Sequence, residues 1–203
     1  MASWRHTWTT AITKPSVNTY TAMCQDPKAN AWRPTLWIIL AGLIAAILAL
    51  GADYLTHQVA YRALTNTDLA IVAGPRLLIG VIGSLLGFVI FVGVQHLIAQ
   101  RLGGRGTFGQ QAYVVGAIMA PLLILTTVVA SLPIINIASP FIALFGLIIE
   151  IVAIKAVYNF GWIKTLLSSF VIWIFVAALL LGGLLYLLGP SIGAVFSNIV
   201  LDT

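Results

Sequence analysis

Residues 77–99 read LLIGVIGSLLGFVIFVGVQHLIA, 23 positions without a single Asp, Glu, Lys or Arg. As a helix rising 1.5 Å per residue this run is about 34 Å long, enough to cross a hydrocarbon core of about 30 Å. Working outward from it, four more runs of the same kind appear: TLWIILAGLIAAILALGADYL (35–55), AYVVGAIMAPLLILTTVVASL (112–132), SPFIALFGLIIEIVAIKAVY (139–158) and LLSSFVIWIFVAALLLGGLLYLL (166–188). Nearly every charge sits in the gaps between them. The pattern predicts an all-α, polytopic transmembrane helix bundle with five spans.

Composition points the same way. With 61% hydrophobic and 7% charged residues, a soluble domain of this length would lack the polar surface to cover itself. The chain divides into a cytoplasmic lead-in at 1–34, a five-helix domain at 35–188 and an external tail at 189–203. The net charge of +5 does not suggest nucleic acid, because the ten Lys and Arg residues are scattered and form no basic patch with interleaved aromatics. They set topology instead. Arg5, Lys14, Lys28, Arg33, Arg101, Arg105, Lys155 and Lys164 fall on one side, and only Arg62 and Arg76 on the other. The positive-inside rule then puts the amino terminus in the cytoplasm and the carboxy terminus outside. The lead-in has no short apolar core with a small-residue cleavage site, so the first span is expected to direct insertion.

In the lead-in, Trp4, Trp8 and Ile12 recur every four residues, an amphipathic helix that Pro15 ends; Val17, Tyr20 and Cys24 suggest a second. Asp26 before Pro27 reads as a cap with proline in the first helical turn. Trp32 and Trp37 are expected at headgroup level around the entry to span one. The lead-in is either a membrane-lying or partner-binding element or a packed segment that orients the first span, the second being the simpler account. The external gap at 56–76 is read as the longest loop, broken by Gly74 and Pro75.

Several motifs invite chemistry. Gly104, Gly106 and Gly109 spell GxGxxG, but no strand precedes them and no acidic residue follows at the right distance, so a tight basic turn is expected rather than a dinucleotide site. Arg101 and Arg105, with Gly104 and Gly106, are candidates for holding a lipid phosphate or a partner. Small residues line span two, Gly80 and Ser84 and then Gly83 and Gly87, the latter pair a GxxxG, and are expected to pack against another helix within the bundle, with self-association as the alternative. Pro121 lies within span three, where packing or a hinge is expected. Glu150 is the costly residue, deep in span four, and His96 from span two is the expected partner. Lys155 lies on another face and can snorkel outward.

No cofactor or metal is expected: Cys24 is alone, and a lone His96 cannot supply about four ligands. HExxH and a pair of intramembrane aspartates are absent from the sequence, so catalysis is not expected, and Ser84, Ser168 and Ser169 read as helix-packing hydroxyls.

Three stretches together resemble a known family. KPSVNTYTAMCQDPKANAWRPTLWIILAG (14–42) is a short lead-in with spaced prolines, an aromatic and then a span. HLIAQRLGGRGTFGQQAYVVGAIMAPLL (96–123) joins a helix end, a basic glycine-rich turn and a helix that opens with an aromatic and contains proline. With the five-span plan, these resemble the Yip membrane proteins, named for interaction with Ypt and Rab GTPases, and in particular their prokaryotic branch. The eukaryotic relatives' longer amino-terminal region with a DLYGP-like motif has no counterpart, since Asp68, Leu69, Gly74 and Pro75 have the wrong spacing and side; no GTPase-binding residue carries over. The resemblance implies a non-enzymatic adaptor or organising protein of a prokaryotic inner or plasma membrane, binding proteins or anionic lipids near residues 4–33 and 101–111. The competing expectation is a small transporter or channel using Glu150 and His96, disfavoured because five spans do not divide into paired repeats.

Overall fold

The computed structural model describes residues 4–56, 66–132 and 135–172, with the isolated positions 174, 178 and 181. The described residues contain helices and no strand. In chain order these are α1 (Trp4–Thr13), α2 (Val17–Cys24), α3 (Trp32–Thr56), α4 (Asn66–Arg101), α5 (Phe108–Ala130), a 3-10 turn (Asn136–Ala138), α6 (Ser139–Tyr158) and α7 (Trp162–Ile172). Four of them, α3 to α6, are long and apolar enough to cross a membrane. The chain is a multi-pass, all-α membrane bundle. Apart from those isolated positions, the expected fifth span beyond Ile172 lies outside the described residues, as do the tail at 189–203 and Arg62 in the external gap.

The bundle is built around α5. It packs against α1, α2, α3, α4 and α6, and eight consecutive residues from Gln111 to Ile118 are buried. Small residues make that closeness possible. A Cβ on Gly116 would collide with the Pro34 ring of α3 and come within 3.4 Å of Phe88 of α4. The α3–α4 pair closes likewise on Gly42 against Ser84 and Gly80 against Ala46, where an added Cβ on Gly80 would sit 2.9 Å from that of Ala46. Without a hydrophobic force between helices in lipid, such backbone proximity supplies the dispersion contacts that hold them.

This placement differs from the expectation for the GxxxG pair. Gly83 and Gly87 are exposed, with open space where a Cβ would go; the face one position round, Gly80 and Ser84, makes the contact. Helix α4 also differs at its start. It runs continuously through Gly74 and Pro75, and the apolar window opens only at Ala73. The carbonyl four residues before Pro75 loses its helix donor beyond that window, where water can satisfy it. Near the same end Arg76 pairs with Asp53 of α3.

The two amino-terminal helices are packed elements. Ser16 caps α2, its hydroxyl accepting from the Thr19 amide at 3.1 Å. Buried Tyr20 donates to the Ala11 carbonyl at 2.7 Å and so ties α2 to α1. Burial pushes the Tyr20 phenol up to about 12, which keeps it a donor at physiological pH. Trp8 meets Trp37 edge-on at 6.3 Å, and Trp37 meets Tyr113 at 5.2 Å, so aromatic contacts carry α1 onto α3 and α5. Trp37 is therefore core rather than interfacial, whereas Trp32 is exposed. Asp26 and Pro27 open no helix. Asp26 accepts from the Lys28 amide at 2.9 Å in a tight turn, and Asn30 caps α3 through the Arg33 amide at 3.3 Å. Pro34 then sits in the first turn of α3, where no amide donor is needed.

Candidate functional site

The end of the bundle that carries α1 and α2 also carries the α4–α5 turn and the α6–α7 turn. Helix α4 ends with Gly103 at φ +84°, its amide bonded to the Gln100 carbonyl and that of Gly104 to the Ala99 carbonyl, both at 2.9 Å. This is a Schellman stop, and the left-handed position calls for glycine. Thr107 and Gln110 then open α5 with a capping box, side chain to backbone in both directions. Gly104 and Gly106 serve contact with α6: a Cβ on Gly104 would lie 2.5 Å from the Tyr158 ring, and one on Gly106 2.6 Å from the Val157 carbonyl. Helix α6 stops at Asn159, also left-handed at φ 53°, with the Phe160 amide returning to the Lys155 carbonyl.

Between these turns and the apolar middle runs a continuous thread of side-chain hydrogen bonds. Gln100 lies 3.0 Å from His96 Nε2, and His96 Nδ1 meets the Tyr158 hydroxyl. Tyr158 donates to Gln111 Oε1 at 2.6 Å, and Gln111 Nε2 donates to Gln95 Oε1 at 2.8 Å. Gln95 Nε2 donates to Glu150 Oε1. One assignment satisfies every link: His96 carries its proton on Nδ1, and each group donates towards Glu150. The thread joins α4, α5 and α6, and its inner members Gln95, Gln111, Tyr158 and Glu150 are all buried. The hydrocarbon core offers these groups no water to bond with, so they satisfy one another. Glu150 Oε2 is the end of the thread and has no partner among the described residues.

Glu150 and His96 thus belong to one network without touching. His96 is one position, about 100°, round α4 from Gln95, so Gln95 takes the Glu150 bond and His96 reaches Tyr158. The residues that make the network, Gln95, Gln100, Gln111 and Tyr158, were not singled out by sequence motifs. For the three glutamines the signal was an amide inside, or at the mouth of, an apolar run, and for Tyr158 a phenol at the end of one. The usable motif in the α4–α5 turn was Thr107-x-x-Gln110 rather than GxGxxG.

Outside the thread the same end is basic. Arg5, Lys14, Arg101, Arg105 and Lys164 are exposed. Gly103, Arg105, Tyr158, Asn159, Gly161 and Lys164 line a cup of about 340 Å³ where the two turns meet. Lys164 bridges it, its Nζ donating to the Leu102 carbonyl at 2.9 Å. Lys155 reaches past the end of α6, donating to the Phe160 carbonyl at 2.8 Å and lying 4.8 Å from the ring of exposed Trp162. Arg101 lies apart from the cup, beside an apolar groove between α4 and α7 that Leu97 and Val171 also line. Asp26 at this end is engaged by the Lys28 amide and by Tyr113. Pro121 lies within a helix that continues to Ala130. Among the described residues no group of three or more His, Cys, Asp or Glu could hold a metal ion.

No curated protein and no solved structure matches the chain. A family model, the Yip1 domain, matches residues 9–189. That stretch takes in the second half of α1, the glycine-rich turn, the polar thread and every membrane-spanning helix described, and the chain accordingly belongs to the Yip family of membrane proteins.

Proposed function

We propose that this Yip-family chain is a non-enzymatic adaptor or organising protein of a prokaryotic inner or plasma membrane, binding proteins or anionic lipids through its cytoplasmic surface. The observation that carries the reading is the basic cup at the junction of the two turns, with Arg105 and Lys164 on its rim. Its walls are fixed by the Schellman stop, the capping box and the Tyr158 contact, so two cations are presented on a preformed frame. Fixed cations at a membrane surface attract phosphate and acidic groups at about 1 kcal/mol each. The segregation of eight of ten Lys and Arg residues to this end supports a cytoplasmic orientation for it.

The transporter reading has weaker support. A proton path from the exposed end to Glu150 would pass through Gln111 and Gln95, and a carboxamide does not readily exchange protons along such a chain. The thread is better understood as a clamp holding α4, α5 and α6 in register.

Capture from mild detergent with the wild-type chain and with an Arg105→Glu, Lys164→Glu variant, set beside an ion-flux assay in proteoliposomes, tests the proposal. It predicts a defined set of proteins or lipids lost on charge reversal and no flux above empty liposomes. Flux abolished by Glu150→Gln would overturn it.

A further inference from the structure

A cavity of about 280 Å³ lies between α5 and α6, with Phe91 of α4 at its side. Among the described residues its lining is apolar except for Thr126 and Glu150. Along α5 the lining runs from Val115 to Thr126, eleven residue steps or about 16 Å of helix. Spread over that length, the space is a long, narrow slot, the shape of an extended hydrocarbon chain rather than of a compact ring system. Ala143, on the α6 wall, is exposed on the lipid-facing flank, so the slot opens sideways into the bilayer.

Glu150 lines the end nearest the polar thread, only 6% exposed, and its Oε2 has no partner among the described residues. Neither protonation state resolves this: an ionised oxygen lacks a donor, and a protonated one lacks an acceptor. Buried water is a poor answer, because such waters make about three hydrogen bonds. The other polar side chain of the lining, Thr126, is at the far end and already donates to the Leu122 and Leu123 carbonyls. From the slot's shape and this single unmet acceptor, we infer that the α5–α6 cavity binds a single-chain amphiphile whose small head group donates a hydrogen bond to Glu150, as a long-chain alcohol or amine would. A large hydrated head is excluded, since Glu150 lies about 12 Å of helix inside the end of α6. This site is independent of the basic cup and stands whether or not the adaptor reading does.

The test uses the full chain in phosphatidylcholine nanodiscs with a long-chain primary alcohol carrying a diazirine in mid-chain, and with its methyl ether, which accepts but cannot donate. After irradiation, labelled positions are mapped by peptide mass spectrometry. The wild-type chain should be labelled saturably by the alcohol around Met119, Leu122 and Leu147, and roughly tenfold less by the ether. Glu150→Gln preserves the acceptor for Gln95 but puts an N–H where Oε2 was. An N–H can donate to either probe's oxygen, so the preference should fall to about twofold or less. Ala143→Phe, which closes the mouth without touching the thread, should remove labelling by both probes. Equal labelling of the wild-type chain by alcohol and ether, absence of saturable labelling in the slot, or labelling unchanged by Ala143→Phe would each overturn the inference. If the Gln variant does not fold, the wild-type probe pair and Ala143→Phe decide the matter.

Discussion

Replacing Gln111 by Leu is the sharpest perturbation of the clamp. Gln111 is fully buried, receives the Tyr158 proton at 2.6 Å and donates to Gln95 at 2.8 Å. Leu has nearly the same volume, so packing changes little and the loss is that of two hydrogen bonds. In a soluble core each orphaned group would cost about 1–3 kcal/mol. In membranes interhelical side-chain bonds average about 0.6 kcal/mol and reach about 1.7, because the unfolded helices find other partners. The membrane scale is the relevant one, and two bonds then give about 1–3.5 kcal/mol. Reversible unfolding in mixed dodecylmaltoside and SDS micelles, followed by circular dichroism, measures this. Tyr158→Phe removes one of the same two bonds, so the double variant should be less destabilised than the sum by about 0.5–2 kcal/mol. Leu144→Ala, on the exposed face of α6, should stay within about 0.5 kcal/mol. Additivity of the two thread variants within about 0.3 kcal/mol, or a neutral Gln111→Leu, would refute the clamp.

Glycine substitutions should divide by location: Gly116→Ala collides with Pro34 and should cost about 1–3 kcal/mol in the same micelle assay, while Gly83→Leu, facing open space, should leave stability within about 0.5 kcal/mol. Loss of a self-association signal in Gly83→Leu at unchanged stability would assign that face to a dimer. Burial pushes the Cys24 thiol up from 9.0 to about 11, so at pH 7 its thiolate fraction is about a hundredfold below that of an ordinary thiol. Maleimide labelling of Cys24 should therefore be slow at pH 7 and rise about tenfold per pH unit up to pH 10, whereas a pH-independent rate would contradict the burial. Because Cys24 is a poor reporter, sidedness is better read in a Cys24→Ala background. Cysteine at exposed Thr21 should react with an impermeant reagent only after permeabilisation, and cysteine at Leu132 should react in intact cells; the reverse pattern would invert the topology.

The membrane architecture was legible because it rests on length and polarity alone: a run such as 77–99 has little alternative to a span. Local punctuation was legible where one residue type decides the geometry, as with Pro15 between α1 and α2. It misled where tertiary contact chooses between neighbours. Gly83 and Gly80 lie on adjacent stripes of α4, and only the position of α3 shows that Gly80 makes the contact. Trp37 carries an interfacial signature in sequence, yet Trp8 and Tyr113 enclose it. Glu150 announced that it needed a partner, but which α4 residue answers depends on 100° of helix rotation that sequence spacing does not fix. The basic turn was visible as a turn; that Tyr158 and Lys164 complete a cup with it required the return of the chain from α6.

Site-specific photo-crosslinking from the cup in living cells tests the adaptor proposal most directly. A benzophenone amino acid at Gly161, which lines the cup and faces open space, is compared with one at Leu78, 63% exposed on the outer flank of α4. The account predicts discrete protein or anionic-lipid adducts from position 161 that disappear in an Arg105→Glu, Lys164→Glu background, and only bulk lipid from position 78. Indistinguishable adducts from the two positions, or cup adducts indifferent to the charge reversal, would contradict it.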